Sequence, residues 1–131
     1  MLGYKFPIET STTADIDLSL SIGVTKETTD LKTAIMESGL GFLEIPALDR
    51  KSPSTSYKVR DSEIKVELLT PLISGPDTSK PVYMPSLKSY AFPLRFLNYL
   101  IKDSINAVVV YGRGVSVKIP QPARYAVHKL V

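Results

Sequence analysis

The stretch Asp15-Ile-Asp-Leu-Ser-Leu-Ser-Ile22 alternates polar and apolar side chains without a fault. A period of two is typical of a half-buried β-strand, in which alternate side chains face the core. Residues i and i+2 of a strand point the same way, so Asp15 and Asp17 share the polar face. The pattern therefore predicts a strand that is packed against a core on one side and carries two carboxylates on the other.

A second alternating stretch covers residues 63–69 and follows a predicted strand over 56–60 and a tight turn at Asp61-Ser62. Its inward side chains are Ile64, Val66 and Leu68, and its outward ones are Glu63, Lys65 and Glu67. A slip of one residue would expose the whole apolar set, so the register is strongly specified. If the two strands are neighbours, Glu67 lies on the same face as Asp15 and Asp17.

The rest of the chain predicts a mixed α and β protein. Helices are predicted over 29–38, from Pro93 to residue 101, and from Pro122 onward; a strand over 42–45; an irregular, proline-rich stretch over 71–86; and a hairpin of strands 107–111 and 115–119 around Gly112 and Gly114. The expected fold class is α/β or α+β, a mixed twisted β-sheet with helices on its apolar face. The length of 131 residues suits a single domain.

The amino-acid composition excludes several kinds of catalytic and metal sites. The absence of cysteine excludes disulfides, cysteine nucleophiles and cysteine-based zinc sites, and the single histidine, His128, excludes a His-rich metal site. Any metal is then a hard cation held by oxygen, with 13 Asp and Glu residues as the supply. A net charge of +3 suits an anionic ligand. No apolar run reaches the length of a membrane span and residues 1–9 do not resemble a signal peptide, so we expect a cytoplasmic protein without a membrane partner.

Two carboxylates so close together repel each other unless a cation neutralises them. With Glu67, they make a predicted oxygen-ligand site for Mg²⁺, and a pair of such ions about 4 Å apart supports in-line phosphoryl transfer. The alternative is that the three acids are simply solvated on an exposed sheet face, and this alternative predicts no affinity for Mg²⁺.

Several segments resemble one family. Residues 12–18, Thr-Thr-Ala-Asp-Ile-Asp-Leu, resemble the Thr-x-Asp-hydrophobic-Asp-hydrophobic strand of the nucleotidyltransferase superfamily, which has the DNA-polymerase-beta-like fold. Residues 66–71, Val-Glu-Leu-Leu-Thr-Pro, are similar to the segment that carries the third acid in a bacterial subfamily of minimal nucleotidyltransferases. The similarity continues, in the expected order, at residues 53–59, 93–100 and 122–130.

This resemblance implies metal-dependent transfer of a nucleoside monophosphate from a nucleoside triphosphate (NTP) to a hydroxyl. Asp15 and Asp17 would hold Mg²⁺ or Mn²⁺, and Glu67, which is Asp in many relatives, would complete the metal site. The residues expected to contact the nucleotide are Thr13, Arg124 and Lys129. The acceptor stays open between a protein, a tRNA and a small molecule, as do the NTP used and the oligomeric state. The alternative is an inactive nucleotidyltransferase-like domain that binds a nucleotide or a partner without turnover.

The family pattern has one further part, a Gly-Ser or Gly-Thr pair on a helix before the Asp-x-Asp strand, where it contacts the nucleotide phosphates. No such pair precedes Asp15. We therefore expect this chain to begin after that helix and to stop within the last helix of the domain. Since each missing preorganised donor costs on the order of a hundredfold in rate, transfer by the 131-residue chain alone is expected to be weak or absent.

Overall fold

A computed structural model of the protein describes residues 15–19, 30–72 and 80–130, and these residues form a mixed α+β fold. The strands are β1 (Asp15–Ser19), β2 (Phe42–Ile45), β3 (Ser56–Val59), β4 (Lys65–Pro71), β5 (Val82–Met84), β6 (Ser89–Leu94), β7 (Ile105–Val109) and β8 (Val115–Ile119). The α-helices are α1 (Leu31–Met36), α2 (Leu97–Ile101) and α3 (Pro122–Leu130), and a short 3₁₀ helix covers Pro85–Leu87.

Strand β4 organises the main sheet because it pairs with three other strands. It runs parallel to β1 and antiparallel to β3, and its last three residues run parallel to β6. Along the sheet the order is β2-β3-β4-β6-β5, with β1 attached to β4, while β7 and β8 form a separate two-stranded sheet. The mixed sheet with helices confirms the fold class expected from the sequence.

The hydrophobic core lies on one face of this sheet. Its buried residues come from four strands, and they are Tyr57, Val66, Leu68, Met84 and Ala91. Partly buried side chains from α1, β2 and the 3₁₀ helix pack against them, and these are Leu31, Ile35, Phe42 and Leu87. Even-numbered residues of β4 thus face the core, as the alternation in residues 63–69 predicted.

Helix α1 confirms the helix predicted over 29–38, although it is shorter. It begins after Asp30, whose Oδ1 accepts a hydrogen bond of 3.0 Å from the Thr33 N–H. This cap, with the Thr33 N–H as its main component, lowers the pKa of the Asp30 carboxyl. The helix ends at Met36, and Gly39 then adopts a left-handed φ of +79°, which glycine tolerates without strain.

Three side chains predicted to be buried are substantially exposed: Ile16 at 46%, Leu18 at 39% and Ile64 at 45%. The prediction is wrong for Ile64 because β4 begins only at Lys65, which leaves Ile64 just before the strand. Ile16 and Leu18 are paired with Val66 and Leu68. Within the residues that the structure describes, however, β1 pairs only with β4, and the core packing stops short of covering it.

The helix predicted to begin at Pro93 is also wrong. Pro93 is the fifth residue of β6 and is paired with Thr70 of β4. The helix starts at Leu97, after Phe96 has turned the chain with a left-handed φ of +61°. Proline fixes φ near −65°, a value compatible with a first helical turn and with some strand positions, so the residue type alone does not distinguish them. Strand β5 lies inside the stretch predicted to be irregular.

The predicted hairpin and C-terminal helix are both confirmed. In the β7–β8 hairpin, Gly112 and Gly114 have positive φ angles of +58° and +87°. Helix α3 begins at Pro122 and packs against α2, which contacts β4 in turn. No helix in the described ranges is both long enough and apolar enough to cross a membrane.

The two hairpin glycines should differ in their tolerance of alanine. A Cβ at Gly112 would meet nothing within 4 Å, whereas a Cβ at Gly114 would lie 2.9 Å from Val108 Cγ1. Gly112→Ala should therefore cost only the left-handed backbone penalty, about 1 kcal/mol, and Gly114→Ala about 2 kcal/mol because the clash adds to it. Urea unfolding curves of the two variants measure both values. Equal losses would show that Val108 moves aside freely.

Candidate active site

The parallel register of β1 and β4 brings the candidate acids together. Asp17 is the direct partner of Glu67, and Asp15 is the direct partner of Lys65. Partners in adjacent strands are about 4.8 Å apart and their side chains leave the sheet on the same side. These four residues therefore form one block, here called the acidic face, on the opposite side of β4 from Val66 and the core.

The carboxylate of Glu67 is held by two neighbours. Its Oε1 lies 3.2 Å from Lys65 Nζ and accepts a hydrogen bond of 3.3 Å from Ser56 Oγ. Ser56 is the partner of Glu67 on β3, so the hydroxyl approaches from the strand on the far side of β4 from β1. The Lys65 and Glu67 side chains are each about one-third exposed, at 34% and 37%.

The three carboxylates share a face without forming a cage. Among the described residues, no three Asp, Glu, His or Cys side chains are grouped in a way that could hold a metal ion. Glu67 is instead in contact with Lys65 and Ser56. Metal binding by Asp15, Asp17 and Glu67 thus stays a prediction. The chemistry of the donor set fits it, because carboxylate oxygens are the ligands that Mg²⁺ and Mn²⁺ take in proteins.

Three further residues, Thr13, Arg124 and Lys129, were predicted to contact the nucleotide. Lys129 is exposed on α3 with its Nζ 5.4 Å from the centre of the Tyr125 ring. Arg124, on the same helix, binds Asp103 Oδ2 at 3.0 Å and the Tyr99 carbonyl at 3.2 Å. Arg124 therefore fastens α3 to the end of α2 and to the connection that follows it. Thr13 lies outside the described residues.

A cavity of about 400 Å³ opens on the core side of the sheet, away from the acidic face. Its lining residues are Lys32, Glu44, Pro53, Ser54, Tyr57, Lys88, Ser89 and Tyr90. Lys32 Nζ lies 2.6 Å from Glu44 Oε1, and this bond raises the pKa of Lys32. Burial raises the pKa of the Tyr57 hydroxyl. Both lysine and tyrosine therefore keep their usual protonation state at neutral pH, and Glu44 already neutralises Lys32.

Comparison with known proteins identifies the family of this chain. A family model described as nucleotidyltransferase matches residues 1–131, the whole sequence. The chain belongs to this nucleotidyltransferase family. Neither the curated proteins nor the solved structures contain a match to it.

In this member of the family, the prediction from the sequence leaves out two residues that contact Glu67. Lys65 is predicted to point outward with Glu67 but has no predicted role, and Ser56 is predicted only as the first residue of a strand. The available signal for Lys65 was its i, i+2 spacing from Glu67, which puts both side chains on one face of a strand. Ser56 gave no such signal, because its contact depends on the β3–β4 register.

Proposed function

We propose that this family member transfers a nucleoside monophosphate from an NTP to a hydroxyl group, in a reaction that depends on Mg²⁺ or Mn²⁺. The observation that carries the proposal is the β1–β4 register, which sets Asp17 beside Glu67 and Asp15 on the same face. The family membership supports nucleotidyl transfer as the reaction type.

The three acids and the cation would have different roles in this reaction. Asp15 and Asp17 lie on an exposed strand, where a bulky triphosphate has access to them. The Ser56 hydroxyl donates a hydrogen bond to the Glu67 carboxylate and so limits the directions that this carboxylate can take. A bound divalent cation supplies charge neutralisation for the phosphates.

The transfer balances without any further reactant. The acceptor hydroxyl loses its proton to water, and its oxygen forms a bond to the α-phosphorus of the NTP. The bond between that phosphorus and the oxygen bridging to the β-phosphate breaks, and pyrophosphate leaves. Positioning and charge neutralisation are the protein's contributions to such a step, so no covalent intermediate with the chain is required.

Among the proposed nucleotide contacts, Lys129 is better placed than Arg124. The Lys129 ammonium is exposed and could pair with a phosphate as a point charge. The Arg124 guanidinium would first have to give up its bonds to Asp103 and to the Tyr99 carbonyl. Thr13 joins them through the family resemblance alone.

The proposal is tested by incubating the chain with each of the four NTPs, labelled on the α-phosphate, in the presence of Mg²⁺ or Mn²⁺. A protein, a tRNA and a small-molecule mixture serve as acceptors in parallel. We expect label transfer that needs the cation and is abolished by a chelator. NTP binding without any label transfer, under every acceptor condition, would favour the inactive nucleotide-binding alternative instead.

A further inference from the structure

One basic residue stands inside the acidic face. Lys65 is the direct strand partner of Asp15, and its Nζ lies 3.2 Å from Glu67 Oε1. Its side chain is about two-thirds buried, with 34% exposed. The Lys65 side chain is therefore part of the acidic face and does not extend freely into solvent.

We propose that Lys65 is a positioning residue that competes with the divalent cation for the carboxylate of Glu67 and so sets the affinity of the metal site. This inference rests on the proposed function, because it concerns the same metal site. Lys65 acts through Glu67 and touches neither substrate nor reacting atoms in this role.

The charges explain why such a competitor matters. Three carboxylates on neighbouring positions repel each other, and one ammonium group among them relieves part of that repulsion when no metal is bound. A cation that binds Glu67 through Oε1 would displace Lys65, and a cation that binds through the other carboxylate oxygen would still have the Lys65 ammonium group nearby. Both effects weaken metal binding, although the partial exposure of the side chains keeps each of them modest.

Ser56 adds a second contact that a divalent cation would have to compete with. It donates to the same Oε1 that Lys65 contacts, so the metal-free carboxylate is held by two partners at one oxygen. With a cation bound, Glu67 would face Asp17, its partner on β1, and Lys65 would lose its contact with the carboxylate.

The test is a calorimetric titration of the full chain with MnCl₂. Lys65→Met removes the charge and keeps the length of the side chain, and Lys65→Gln serves as a second uncharged variant in case the first does not fold. We expect either variant to bind Mn²⁺ about three- to tenfold more tightly than the wild type, in line with the modest energy of partly exposed ion pairs. Lys65→Arg should stay within about twofold of the wild type.

Two controls separate this mechanism from a general change in charge. Lys58 is the strand partner of Lys65 on β3 but pairs with Glu63, at 3.8 Å, so Lys58→Met should leave Mn²⁺ affinity within about twofold. In a Glu67→Gln background, Lys65→Met should give a clearly smaller gain, because the competition for Glu67 is gone and only the nearby charge of Lys65 remains.

Equal or weaker Mn²⁺ binding by both uncharged Lys65 variants would overturn the inference while leaving the metal site intact. Absence of Mn²⁺ binding by the wild type and by every variant would overturn the metal site of the proposed function, and the role of Lys65 with it. A gain as large in the Glu67→Gln background as in the wild-type background would show that Lys65 acts by its charge alone and not by holding Glu67.

Discussion

Replacing Asp15 and Asp17 together by asparagine is expected to lower nucleotidyl transfer by at least about a hundredfold and to remove the thermal stabilisation that Mn²⁺ confers. The two residues lie on one exposed strand face, beside Lys65 and Glu67 in register, and asparagine keeps their size while removing both charges. Metal ions contribute several kcal/mol to reactions of this class, and the loss of two ligands forfeits that contribution. Label transfer and melting curves with and without Mn²⁺ measure the two effects.

A matched control removes two carboxylates elsewhere. Glu37 directly follows α1 and Asp61 lies in the β3–β4 turn, and both are exposed. The Glu37→Gln, Asp61→Asn double variant should keep the wild-type transfer rate and the wild-type response to Mn²⁺. The metal-centre interpretation fails if the Asp15, Asp17 variant responds to Mn²⁺ as strongly as the wild type does.

The largest effect on stability is expected at Leu68. This side chain is fully buried at the middle of β4, within the core cluster that includes Val66 and Tyr57. Leu68→Ala should cost about 2–5 kcal/mol, since it removes buried methyl groups and leaves a cavity. A loss of this size is a large part of the 5–15 kcal/mol that holds a typical domain folded. Denaturant unfolding followed by circular dichroism gives the value.

Ile64 provides the comparison on the same stretch of chain. It has the same sequence parity as Leu68 but is 45% exposed. Ile64→Ala should therefore cost about 1 kcal/mol or less, because nearly half of its surface is already in contact with water. Similar losses for the two variants would mean that Ile64 is covered in solution, as the alternation alone predicted.

Strands β1 and β4 and the β7–β8 hairpin could be predicted because the sequence patterns that indicate them are local. Alternation ties each side chain of a strand to one face, so residues 63–69 placed Val66 and Leu68 in the core without any knowledge of the neighbours. Likewise, the two glycines that flank Arg113 marked the turn between β7 and β8. In both cases the sequence pattern and the local conformation are directly linked.

What could not be predicted depends on pairing between distant segments. Pro93 lies in a strand and not in a helix because it pairs with Thr70, which is more than 20 residues away in sequence. The same holds for the exposure of Ile16 and Leu18, which depends on what packs over β1 and not on their alternation. The contact of Ser56 with Glu67 also required the β3–β4 register, which no local pattern contains.

The attachment of β1 through β4 alone, within the described residues, has a consequence for the order of folding. Strands β2, β3 and β4 follow one another along the chain and pair as antiparallel neighbours, so they close short loops. Strand β1 must instead find β4 across the intervening β2 and β3, and closing a longer loop costs more chain entropy before any contact offsets it. We therefore expect Asp15 and Asp17 to join Glu67 late in folding and to separate from it first when the domain opens locally. In this architecture two of the three acids would be added to a sheet that already exists, and they would detach while the core remains intact.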